Sequence, residues 1–195
     1  MPLKLFSLAL SVVFSTAMLY GSTANAQDSG QQQAPVPSYV LAHVPQASLT
    51  GQGRMTYLMW DVYDATLYAP AGRFQPNQPY ALSLTYLRSL EGRAIADRSV
   101  EEMRTQGFSN EIKLAQWHSQ MRSIFPDVSA GNTLTGVATR EGHTRFYRDG
   151  KLIGEIADSQ FTETFFNIWL SPKTTAPNLR KALIGLDRTL QEIKP

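Results

Sequence analysis

The sequence predicts an α+β domain, an antiparallel sheet with helices on one side. Three observations carry this reading. Apolar residues alternate with period two in Tyr80–Arg88. They recur with period 3.6 in residues 92–106 and 110–125. Short strand-like runs then return, followed by two closing helical stripes. The order is therefore strands, two helices, strands, two helices.

Residues 1–26 read as a cleavable secretory signal peptide. Lys4 supplies a positive start, Leu5–Leu19 carries no charge, and Ala24-Asn25-Ala26 is a small-x-small cleavage site. The apolar run is shorter than the ~20 residues that a membrane span needs. No Cys follows it, so a lipoprotein anchor has no attachment atom, and no later run is apolar enough to span. Residues 27–47 read as a flexible leader, because their polar Gln- and Pro-rich start buries too little apolar surface to order itself. The folded domain is expected over residues 48–195.

Within it, Arg54–Trp60 and Val62–Tyr68 are rich in aromatic and β-branched residues and read as a strand pair. Both parities are apolar, which predicts cover on both faces; Asp61 marks a bend or bulge between the runs. In the next strand Leu82, Leu84 and Tyr86 share one face, with Ser83 and Thr85 on the other. The first helix points Ala94, Ile95 and Met103 inward and stops at Gly107. The second carries Leu114, Trp117, Met121, Ile124 and Phe125 on one stripe and ends before Pro126. Thr133–Thr139, Thr144–Arg148 and Leu152–Ile156 read as strands, the last two joined by an Asp149-Gly150 hairpin turn. Asp158 caps a helix over Ser159–Leu170, and Pro177 opens a last helix with Leu179, Leu183, Leu186, Leu190 and Ile193 on its core face.

Composition excludes several functions. The chain has 18 basic and 16 acidic residues, a formal charge of +2, and no basic stripe, so nucleic acid is not an expected partner. It contains no Cys, which removes disulfides and thiol catalysis. His43, His118 and His143 stand apart from one another at no metal-ligand spacing, so no metal is expected. No nucleotide or dinucleotide fingerprint occurs, and Gly51-Gln52-Gly53 is too short to count as one; no cofactor is expected. Glu91 and Glu101-Glu102 read as solvated helix faces.

Five strings, in this order, carry a resemblance. They are Gly51-Gln52-Gly53-Arg54 with the strand pair to Ala69; Leu84–Met103; Phe125-Pro126-Asp127-Val128 with Gly131; Phe146-Tyr147-Arg148-Asp149-Gly150 with Gly154; and Phe165-Phe166-x-Ile168-Trp169-Leu170. Together they resemble the chalcone isomerase-like domain, in its bacterial exported branch. The resemblance implies an open-faced β-sandwich, a large antiparallel sheet under a helix layer, with a ligand cleft between them. It also places the mature protein in the periplasm.

Plant members close a chalcone to a flavanone, using an Arg at a strand start with Thr, Tyr and Asn groups. Arg54 matches the Arg, but Ile95 stands where the plant pattern has Tyr and Glu102 where it has Asn. The Thr of the second strand falls near Tyr63, and the Thr or Ser of the last helix near Thr175 or Ala176. Other relatives of this fold bind fatty acids without catalysis, through an Arg and a Tyr. The expected function is therefore non-catalytic binding of a small amphipathic molecule such as a fatty acid. Arg54, Tyr63 and Tyr86 are its candidate ligand-binding residues. Tyr57, Trp60 and Arg88 are weaker candidates, and Phe161, Phe165 and Trp169 are core or one cleft wall. Two alternatives stand beside this reading: an isomerase or intramolecular lyase acting on an enone, and a ligand-free envelope interaction protein with a filled core.

Overall fold

The computed structural model describes residues 35–186. The expected signal peptide, the first part of the leader, and Leu190 and Ile193 lie outside the described residues. Six strands form one sheet in sequence order, every pair antiparallel. They are β1 (Ala47–Tyr57), β2 (Trp60–Pro70), β3 (Tyr80–Tyr86), β4 (Thr133–Ala138), β5 (Thr144–Arg148) and β6 (Lys151–Ile156). A short helix α1 (Ser38–Leu41) precedes them; α2 (Gly92–Thr105) and α3 (Glu111–Ile124) lie between β3 and β4; α4 (Ser159–Leu170) and α5 (Pro177–Leu183) follow β6. This is the expected α+β architecture.

The main core lies on the inner face of the sheet, under the helices. Strand residues Leu67, Leu82, Leu84, Tyr86 and Phe146 meet Met103, Leu114, Trp117, Phe161, Phe165 and Phe166 there. Local chemistry fixes the helix ends. The Asn110 side chain accepts the Lys113 amide at 3.1 Å, and Asp158 accepts the amides of Gln160 (2.9 Å) and Phe161 (3.2 Å). Asp158 also accepts the Trp117 indole N–H at 3.1 Å, which ties the start of α4 to α3. Asp149 and Gly150 both have positive φ (48° and 82°), as the two-residue hairpin turn requires.

Gly51 and Gly53 let α5 lie close against the inner face of β1. A Cβ on Gly51 would stand 2.0 Å from the Ala182 carbonyl oxygen, and one on Gly53 would stand 2.9 Å from Leu179. The Gly-x-Gly string thus serves helix–strand packing rather than a phosphate.

Four expectations need correction. Residues 38–47 of the expected flexible leader are ordered, and the folded domain includes them. Val40 and Val44 are fully buried against Ala81, Val137 and Tyr147 on the outer face of the sheet, and the Tyr39 ring stacks on Tyr147 at 4.7 Å. The first hairpin turns at Leu58-Met59, earlier than the expected strand bounds allow; of the bend or bulge expected at Asp61 the bulge is found, with Val62 as the extra residue, because Met55 pairs with Tyr63 and Thr56 with Asp61. The strand pair is not covered on both faces: Gln52, Arg54 and Thr56 are exposed on its outer face, and at its tip Tyr57, Leu58, Met59 and Trp60 are all exposed. Helix α5 ends at Leu183, because Gly185 takes a left-handed φ of 76°; Leu186, helical again, is exposed rather than on the core face.

Candidate functional site

Packing between the inner face and the helix layer is incomplete, and a cavity of about 380 Å³ remains. That volume falls within the range of small-molecule sites, about 300–1,000 Å³. Leu82, Leu84, Leu134 and Phe146 form its floor; Ile95 of α2 and Phe165, Phe166 and Ile168 of α4 form its roof. Alternate residues of a strand share a face, so the period-two pattern of β3 supplies the apolar floor directly. Exposed members of the lining, Tyr57, Arg88, Ala94, Arg98 and Thr175, mark the end open to solvent.

Polar groups within this apolar lining are few. Tyr86 is 2 % exposed, and its hydroxyl has no hydrogen-bond partner among the described residues. Burial pushes its phenol well above the ordinary tyrosine value, so it stays a neutral donor. Its ring meets Tyr63 edge-on at 5.8 Å. The Tyr63 hydroxyl accepts the Trp169 indole N–H at 2.8 Å; burial outweighs that donor and pushes the phenol up to about 12. Glu102 is buried at the cleft wall. Its carboxylate accepts the guanidinium of Arg98, one helical turn earlier, and the Thr175 hydroxyl at 2.9 Å. Arg98 also lies 3.5 Å from Glu101. Arg88 has no carboxylate partner among the described residues and stacks over Trp60 at 5.2 Å.

Tyr63 and Tyr86 are thus brought together in the cleft, whereas Arg54 is not part of it. Gly51, Gly53 and Met55 face inward, so strand parity sends Arg54 to the outer face. There it is half exposed and fully engaged, bonded to Asp64 at 2.6 and 2.9 Å and to Asp61 at 3.0 Å. These carboxylates, Asp64 first, push its pKa further up, while the Thr56 hydroxyl and Arg54 hold Asp61 below the ordinary carboxylate range. The guanidiniums at the cleft are instead those of Arg88, a weaker candidate from the sequence, and Arg98, which the sequence reading missed. The sequence signal for Arg98 was its position four residues before Glu102, on the same helix face as Ile95.

Glu102 belongs to the wall rather than to a solvated face. Ile95, Tyr63, Thr175 and Ala176, placed by the resemblance near the plant site positions, all line the cleft. Ala94, expected inward, is exposed at its rim; Phe165 and Trp169 are cleft wall as well as core, while Phe161 is core alone. The three histidines each find a tertiary partner: His43 the Tyr147 hydroxyl (3.0 Å), His118 Asp97 (2.5 Å) and His143 Glu155 (2.7 Å). No group of three or more metal-ligating side chains is present among the described residues.

The arrangement has room for an apolar body along an aromatic and aliphatic wall, presents the Tyr86 and Tyr63 hydroxyls as donors, and places cations at the mouth. The family described as chalcone isomerase-like matches residues 31–185. A fatty-acid binding protein of Arabidopsis thaliana has a similar solved structure: 14 % identity, TM-score 0.57, with the match covering 75 % of this chain and 90 % of that one. No curated protein matches the sequence significantly.

Proposed function

Because this chain belongs to the chalcone isomerase-like family, we propose that its cleft binds a small amphipathic acid, such as a fatty acid, without transforming it. The observation that carries this reading is the cavity itself: apolar along its length, with a buried and unpartnered Tyr86 hydroxyl inside and arginines at its mouth. The hydrocarbon would lie over Leu82, Leu84 and Phe146. The carboxylate would sit toward the rim, accepting from the Tyr86 hydroxyl and facing Arg88 and Arg98, where a guanidinium pairs well with a planar anion. The fatty-acid binding of the Arabidopsis protein supports the same ligand class.

A non-catalytic role is supported by Ile95, which puts no phenol where the plant pattern has one. Glu102 adds to that support, because its negative charge disfavours a phenolate substrate at the wall. Native mass spectrometry of the purified protein, with titration of a fluorescent fatty acid, tests the reading. Co-purified lipid and saturable binding are expected; an empty protein with no affinity contradicts it. Turnover of an enone in the same cleft would favour an isomerase instead.

We also infer that the protein is exported, from the uncharged run Leu5–Leu19 and the Ala24-Asn25-Ala26 site, and that it reaches the periplasm, as the resemblance to the bacterial exported branch implies. Among the described residues no helix is long and apolar enough to cross a membrane. N-terminal sequencing of the periplasmic fraction should begin at Gln27; an intact Met1 in the cytoplasm contradicts this inference.

A further inference from the structure

The tip of the β1–β2 hairpin is built against the usual rules of a solvent-facing turn. Two-residue hairpin turns favour Gly, Asn or Asp, because the chain must pass through positive φ. Here the turn is Leu58-Met59, and Leu58 takes a φ of 56°. Leu58 is 82 % and Met59 89 % exposed. Two aromatic residues flank them across the hairpin, Tyr57 and Trp60, which pair with each other and are also exposed. Behind each aromatic stands an arginine: Arg98 lies 5.9 Å over Tyr57, and Arg88 lies 5.2 Å over Trp60.

We propose that this tip docks the protein onto a lipid bilayer, with Leu58 and Met59 inserted and the open end of the cleft facing the membrane. The layering argues for lipid. An apolar apex, then an aromatic pair, then cations repeats the depth order of a bilayer leaflet: hydrocarbon, the interfacial zone favoured by Trp and Tyr, and phosphate. Arg88 has no carboxylate partner among the described residues, so its charge complements a lipid phosphate. Four side chains are also too small a patch for a stable protein interface, which takes about 20–30 residues a side. Tyr57, Arg88 and Arg98 line the cleft mouth as well, so docking brings the mouth to the lipid surface. The docking stands on the tip alone; its use for ligand exchange rests on the binding reading given above.

Tryptophan fluorescence tests it, because Trp60 is the exposed member of three; Trp117 and Trp169 are 2 % and 8 % exposed. The full chain is mixed with vesicles of brominated phosphatidylcholine, alone or equimolar with phosphatidylglycerol. Quenching is expected in the wild type. In the Leu58→Ser, Met59→Ser double variant the partition should weaken about tenfold or more, with melting and solution affinity for a fluorescent fatty acid unchanged. In Trp60→Phe the quenching should vanish while flotation with the vesicles persists. Three results overturn the proposal: no quenching on either vesicle; quenching unchanged in the double variant or in Trp60→Phe, the latter placing the quencher at Trp169; or self-association without vesicles that the double variant abolishes. Loss of fatty-acid affinity in the wild type would instead strike the binding reading and leave the docking intact.

Discussion

On the outer face of the sheet, polar groups satisfy one another. The Ser83 hydroxyl bonds Thr135 at 2.8 Å, Thr135 bonds Tyr39 at 3.0 Å, and Thr85 bonds Thr133 at 2.9 Å. Arg54 is held by two aspartates, and Glu155 accepts both His143 and Arg145 at 2.7 Å. On the inner face the same strands present large apolar side chains, and packing stops short of filling the space. On the face richer in charge, these groups are engaged with one another. The face with few polar groups retains a cavity and a hydroxyl without a protein partner. Binding capacity follows from what packing and pairing leave unsatisfied, not from where charge is densest.

The sharpest way to break this contrast is at Gly51. Gly51→Val places side-chain atoms within the α5 backbone and should cost about 3 kcal/mol. The outward neighbour change, Gln52→Val, should leave stability nearly unaltered. Urea unfolding of the two variants measures the difference; equal costs would mean that α5 does not rest on β1.

A smaller effect is expected at Asp158, which joins α3 to α4. Burial raises its pKa, but the Trp117 indole, the Phe161 and Gln160 amides and Lys113 outweigh it and hold the carboxyl below the ordinary aspartate value. The depressed folded value means that the carboxylate stabilises the fold above the unfolded pKa, about 3.9, and that this stability is lost as pH falls through the folded value. Asp158→Ala should cost about 1–2 kcal/mol at pH 7. It should also flatten the loss of stability below about pH 4, measured by urea unfolding across pH. An unchanged acid limb would contradict the assignment.

Smaller again is Tyr86→Phe. The hydroxyl has no protein partner, so stability should hold, while affinity for a fatty acid that uses it should fall by about fivefold, the equivalent of one hydrogen bond. Unchanged affinity on calorimetric titration would remove Tyr86 from the site.

Much of the fold was legible because its signals are local. Asp149-Gly150 dictates its own turn, Asp158 its own cap, and the period of β3 its apolar face. The misplaced features depend on distant contacts. Which face Arg54 takes is decided by α5 packing on Gly51, well over a hundred residues away in sequence. Arg98 and Glu102, four residues apart on a helix, look like an ordinary solvated pair; only Thr175 and the sheet beneath make them part of a wall. The turn at Leu58-Met59 was hidden because neither residue is a turn former. Helix α1 follows a leader whose composition suggests no structure, and it is ordered by Tyr147 and Val137 on the sheet.

One paired titration tests the central claim most directly. A fluorescent fatty acid is titrated into Ile95→Trp, which narrows the inner cleft, and into Arg54→Ala, which removes the outer-face cation. The account predicts that affinity falls about tenfold or more in the first and does not change in the second. Loss of binding in Arg54→Ala with full affinity in Ile95→Trp would place the ligand on the other face and contradict it.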